Sequence, residues 1–129
     1  MKRKIILLVG ISAAVCAVTL GGLYGWIAYT IKQNMAVAVE KYPGSPEDAL
    51  ISYLRDETNP PRKRTHTAVW TLGMIGSRKA LPVLYGYYRN DPEGKTCHGR
   101  HETDLCQYEI HKAIEAIEKE RPISFQWLK

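Results

Sequence analysis

Two thiols and two imidazoles fall within ten positions of one another, at Cys97, His98, His101 and Cys106, with His111 close behind. Two kinds of chemistry use such a set. Thiolates and neutral imidazoles together bind zinc tetrahedrally, and a pair of thiols in an oxidising compartment closes into a disulfide. The spacing is not that of a zinc finger, because Cys97 and His98 are adjacent and neighbouring side chains rarely reach one ion. A Cys97–Cys106 bond would close a loop of about ten residues and stabilise a small domain by roughly 2.7 kcal/mol in the chain-entropy view. Both readings stand at this point: a disulfide between Cys97 and Cys106, or a metal site of Cys97, His98, His101 and Cys106. The compartment decides between them. Cys16, the third cysteine, sits in an apolar run and reads as a small hydrophobe.

Little else in the chain suggests catalysis. It has no Gly-x-Ser-x-Gly, no phosphate-cradling glycine loop and no His-Glu-x-x-His. Its acids are scattered, and His66 and His111 stand alone on helical segments. The chain is expected not to be an enzyme and to need no cofactor. Two weaker features point to partner binding. Arg62-Lys63-Arg64 opens a helix, where the helix dipole disfavours cations, so an acidic partner or lipid headgroups would suit it, although a solvated basic turn reads the same way. Trp70 lies beside an apolar stripe, where it is either a binding anchor or packing against a neighbouring helix.

The net charge of +5 does not imply nucleic acid. Lys2, Arg3 and Lys4 carry three of the five charges, and from Lys32 onward 15 Lys and Arg face 13 Asp and Glu, an ordinary soluble surface.

The elements that must position these residues begin with a membrane segment. Ile5 to Ile31, about 27 residues, contains no charged residue, proline or histidine. As a helix it would be roughly 40 Å long, more than the ~30 Å hydrocarbon core needs. The run overshoots the h-region of a cleaved signal peptide and has no lipoprotein box at Cys16, so it reads as a retained anchor. The basic flank at residues 2–4 predicts a cytoplasmic N-terminus and an extracytoplasmic domain. Tyr24, Trp26 and Tyr29 form an interfacial belt at the far end. Ala13, Ala17, Gly21 and Gly25 recur every fourth residue, a small-residue stripe along which two such helices could pair as a homodimer.

Beyond the span the periodicity is helical throughout. Lys32 to Tyr42 has no breaker until Pro43-Gly44. Ser45-Pro46-Glu47-Asp48 is a helix start, with serine as N-cap, proline at N1 and acids in the first turn. That helix is expected to end near Asp56, with Ala49, Leu50, Tyr53 and Leu54 inward. A second should span about Arg62 to Ile75 with Ala68, Val69, Leu72 and Ile75 buried, and a third Arg78 to about Arg89. Asn90 to Thr103 is a polar loop carrying the Cys–His cluster. Asp104 is the expected cap of a last helix, Leu105 to Lys119, whose stripe is Cys106, Ile110, Ala113, Ile114 and Ile117. Phe125, Trp127 and Leu128 in the tail are expected to cap its open end.

The segment Ala68-Val-Trp-Thr-Leu72-Gly73-Met-Ile75-Gly76-Ser77-Arg-Lys-Ala80-Leu81-Pro82-Val-Leu84 resembles a HEAT-like repeat of the short, phycobilisome-lyase type: a helix ending Leu-Gly-x-(Ile/Leu)-Gly, a polar turn, then Ala-Leu-Pro-x-Leu. Residues 65–89 fit one repeat, and 49–54 and 105–118 resemble the halves of two neighbours. The loop at 90–104 is an insertion relative to that pattern. The resemblance implies an all-α architecture: a transmembrane helix (1–31), a juxtamembrane extension or linker (32–44) and a short α-solenoid fragment (45–129). It also implies a binding scaffold, since stacked helix pairs leave open faces. The sequence therefore suggests a bacterial inner-membrane adaptor with a periplasmic domain that binds another protein, as an accessory subunit of a membrane complex does. The alternative is a metal- or redox-responsive domain working through the Cys–His loop.

Overall fold

The computed structural model describes residues 2–97, 103–120 and 125–128. It is helical, without a strand among the described residues, and its contacts divide it into two compact units, Met1–Thr30 and Ile31–Lys129. His98 and His101, named above as metal ligands, lie outside the described residues.

The first helix, α1, spans Lys2–Lys41 and supplies the whole of the first unit. In that unit the aliphatic side chains Ile5, Leu8, Ile11, Val15, Val18 and Leu23 are all more than half exposed. Thr19 turns its hydroxyl back onto the Val15 carbonyl at 3.0 Å and the Cys16 carbonyl at 2.9 Å, and Thr30 does the same to Trp26 at 2.9 Å. These hydroxyls are thus satisfied within the helix, as a hydrocarbon surrounding requires. Arg3–Lys41 is long and apolar enough to cross a membrane, with a mean hydropathy of 2.4 over its most apolar window.

The second unit begins on the same helix. Ile31, Met35 and Ala38, spaced i, i+4, i+7, are buried, so the last residue of the expected span and part of the expected extension or linker belong to the core. The helix stops where Pro43 and Gly44 follow, and Gly44 turns the chain at φ +123°. Ser45 then caps α2, Pro46–Arg55, accepting from the Asp48 amide at 3.2 Å. Ala49, Leu50, Ile51, Tyr53 and Leu54 face inward. The third helix, α3, runs from Pro61–Lys63 through a π-helical stretch, Arg64–Val69, to Trp70–Met74. The expected stripe of Ala68, Val69, Leu72 and Ile75 is fully buried.

Two glycines explain the end of α3. A Cβ on Gly73 would lie 2.9 Å from the Ala113 backbone, so the glycine lets the helix of residues 107–118 pack directly on α3. Gly76 takes φ +61°, and the Ser77 amide reaches back to the Leu72 carbonyl at 3.0 Å, a closing pattern that favours glycine. Ser77, buried, caps a 3-10 turn, Arg78–Ala80, that leads into α4, Leu81–Tyr87. Ala80 and Leu84 are buried there, while Leu81, Val83, Tyr87 and Tyr88 are only half-buried.

The last helix, α5, is Gln107–Glu118, and it starts later than the sequence suggests. Cys106, not Asp104, is its N-cap and offers no side-chain cap. The Cys106 amide is instead held by the Thr65 hydroxyl on α3 at 3.3 Å, so a tertiary contact replaces the expected local one. Ile110, Ala113, Ile114 and Ile117 are buried against α3 as their spacing predicts. The tail divides: Phe125 is fully buried and its amide donates to the Met74 carbonyl at 3.0 Å, whereas Trp127 remains 62% exposed.

Candidate functional site: the cysteine loop

The loop after α4 is built around Asp91. Its carboxylate accepts from the Lys95 amide at 3.0 Å and from the Thr96 amide and hydroxyl at 2.7 Å each. Those bonds, the Thr96 amide foremost, hold the Asp91 carboxyl below its ordinary pKa. They also fix the 3-10 turn Lys95–Cys97. Gly94 leads into this turn at φ +66°, where a Cβ would come within 2.9 Å of Tyr108 Cβ and 3.2 Å of the Cys97 sulfur. The loop is therefore pressed against the start of α5, and that is what brings the two cysteines together.

Cys97 and Cys106 are both buried, with their sulfurs 3.2 Å apart. Both are thiols here, and the disulfide that is one of the two readings above would draw the sulfurs to about 2.05 Å. The Cys97 sulfur also lies 3.3 Å from the Gly94 carbonyl. Burial, ahead of the neighbouring thiol, pushes the Cys106 thiol above its ordinary pKa. A buried, protonated thiol makes a slow nucleophile. The pair is better placed to bond to each other than to attack a substrate. Among the described residues, no three His, Cys, Asp or Glu side chains come together as a metal site.

The remaining sequence candidates separate. Arg62 and Lys63 are exposed on the first turn of α3, but Arg64 is not part of a solvated basic turn: only 6% of it is exposed. Its Nε donates to the Leu54 carbonyl at 2.7 Å, and its guanidinium lies 5.2 Å from the Tyr87 ring centroid. No periodicity rule places an arginine inside; the only hint is its register, four residues before Ala68 on the buried stripe. Trp70 is half-buried over a groove with Gly73, Met74 and Ala113, which fits packing against α5. His66 is exposed, and its carbonyl accepts from Asn34. His111 stacks on Tyr88, with rings 5.7 Å apart. In the first unit Ala13, Ala17, Gly21 and Gly25 are exposed, and a Cβ at either glycine would meet nothing.

Sequence reasoning missed a polar knot where α1 ends. Tyr42 donates to Asp56, Lys41 pairs with Asp56 at 3.2 Å and donates to the Asn59 side-chain Oδ1 at 2.6 Å, and buried Asn59 donates to the Tyr53 carbonyl at 3.0 Å. The hydroxyls of Thr58 and Tyr42, the Thr58 amide and Lys41 together hold the Asp56 carboxyl well below the usual carboxylate range. The turn residues Asn59-Pro60-Pro61 were the available signal.

No family model, no curated protein and no solved structure matches this chain.

Proposed function

We propose that the chain is a single-pass membrane protein whose HEAT-like helical domain lies outside the cytoplasm and holds a protein partner at the membrane. The observation that carries this reading is the first unit: a helix whose aliphatic side chains are exposed on every side, joined to a domain with its own core. An apolar surface of that extent is unfavourable in water and suits lipid. The basic residues 2–4 favour a cytoplasmic N-terminus by the positive-inside rule.

The repeat resemblance supports the scaffold reading. Gly73 and Gly76 perform the close approach and the helix-closing turn at the positions the repeat pattern assigns to glycine. A fragment of such a solenoid presents open ends, and Tyr85, Tyr108 and Trp127 are exposed aromatics suited to a protein contact. The test is isolation of the tagged full chain from its native membranes in mild detergent. A stoichiometric partner that stays bound supports the adaptor; a chain that always emerges alone contradicts it.

The sulfur–sulfur distance favours a second reading, a redox-responsive domain in which Cys97 and Cys106 change between thiols and a disulfide. Its metal version adds His98 and His101, and metal analysis of the purified chain showing no stoichiometric zinc or copper would remove it.

A further inference from the structure

A cavity of about 460 Å³ opens between the starts of α3 and α5 and the end of α4, lined by Arg64, Tyr87, Arg89, Leu105 and Gln107 with Glu57 and Asp104. That is the size of a small-ligand site. Most of its polar lining is already engaged. Gln107 accepts from the Arg89 amide at 2.7 Å and donates to the Tyr87 carbonyl at 3.1 Å, and the Thr96 hydroxyl donates to Asp91. Among the buried side chains of the lining, Arg64 is the exception. Its Nη2 is buried and has no hydrogen-bond partner among the described residues, although its Nε is fixed on the Leu54 carbonyl and its plane packs over Tyr87.

A buried guanidinium with an idle donor is unfavourable unless something pairs with it. Neither cavity acid does so at that nitrogen: Glu57 is exposed and Asp104 half-buried, and the Nη2 donor stays unmatched. Arg64 also opens the π-helical turn of α3, an irregularity common at functional sites. The planar, pre-oriented donor fork matches a carboxylate, and Tyr87, Pro61 and Leu105 offer a short apolar wall beside it. We infer that this cavity binds a small organic acid, its carboxylate paired with Arg64 and its apolar body against Tyr87. The inference stands whether or not the domain also holds a protein partner.

The test uses the full chain in detergent micelles, with phenylacetate as probe, phenylacetamide as its uncharged match and inorganic phosphate as the other oxyanion. Calorimetry should show saturable binding of phenylacetate and none of phenylacetamide. Arg64→Lys should weaken it by at least about tenfold, since an ammonium cannot reproduce the planar fork. Because Arg64 variants are liable to unfold, Gly86→Leu provides a second handle: a Cβ at Gly86 meets nothing within 4 Å, yet the residue lines the cavity. That variant should keep its thermal midpoint and lose phenylacetate binding. Three results would overturn the proposal: equal binding of acid and amide, binding of phosphate but not phenylacetate, or unchanged affinity in Gly86→Leu. A fourth would as well. If Asp104→Asn destabilises the ligand-free chain as much as Arg64→Met, and the two effects are not additive, Asp104 is the internal counter-ion and no ligand is needed.

Discussion

Residues 5–26 and the inner faces of α2, α3, α4 and α5 are made of the same side chains, yet the structure treats them oppositely. Ile11, Val15, Val18 and Leu23 are 54–74% exposed, while Leu50, Leu72, Leu84 and Ile110 are at 0%. The difference lies in arrangement. In the first unit apolar residues occupy every side of the helix, so no packing partner of ordinary size could cover them. In the second they form stripes one helix wide, with charged residues between. The first pattern suits a lipid surrounding and the second makes a protein core.

The largest effect expected from this contrast is on insertion. Placing two arginines in the middle of the span, as Val15→Arg with Val18→Arg, should cost roughly 5–7 kcal/mol of insertion free energy. The protein should then appear in the alkaline-extractable fraction, while the thermal midpoint of its domain stays where it was. A shift of both would mean the two units are not energetically separate.

In the domain, Leu72→Ala removes a fully buried core side chain of α3 and should cost about 2–5 kcal/mol of unfolding free energy in urea, without changing membrane extraction. Gly73→Ala should cost about 1–3 kcal/mol, because the new methyl meets Ala113 at a backbone that cannot step aside. The same change at Gly21, where nothing lies within 4 Å, should leave domain stability untouched.

The smallest effect is the dependence on acidity at the end of α1. Asp56 has its folded-state pKa depressed below the ordinary 3.8, so it stabilises the fold at neutral pH and that contribution is lost as pH falls through the carboxylate range. Asp56→Asn should therefore lower the urea midpoint at neutral pH and make progressively less difference as the pH drops below about 3. A penalty from this substitution that persists unchanged into acid would assign the knot to packing instead of charge.

How much of this was legible in the sequence depends on range. Short-range rules read well: the Ser45 cap, Pro46 at N1, the stripes of α3 and α5 and the Gly76 turn are where local chemistry puts them. Tertiary contacts overrode the rest. Asp104 is the residue type that caps helices, but the Thr65 hydroxyl draws the chain into α5 at Cys106. Residues 32–44 read as a helix extension or linker; the helix does continue to Lys41, but no local rule told that Ile31, Met35 and Ala38 pack into the core. At the candidate site the sequence already pairs Cys97 with Cys106, since both fall at the ends of one short loop. Its basic run at 62–64 puts Arg64 in water. Burial of that arginine depends on Leu54 and Tyr87, ten and more residues away, and no local pattern reports such partners.

The proposed topology puts the cysteine loop in an oxidising compartment beyond the membrane, and a thiol count tests that most directly. The full chain is taken from its native membranes, denatured without reductant, alkylated and weighed against a reduced sample. A gain of two labels on reduction, with Cys16 labelled in both, is the predicted result: Cys97 and Cys106 bonded, and the domain outside the cytoplasm. Three labels before reduction would contradict it, leaving Cys97 and Cys106 as free thiols and the domain on the reducing side.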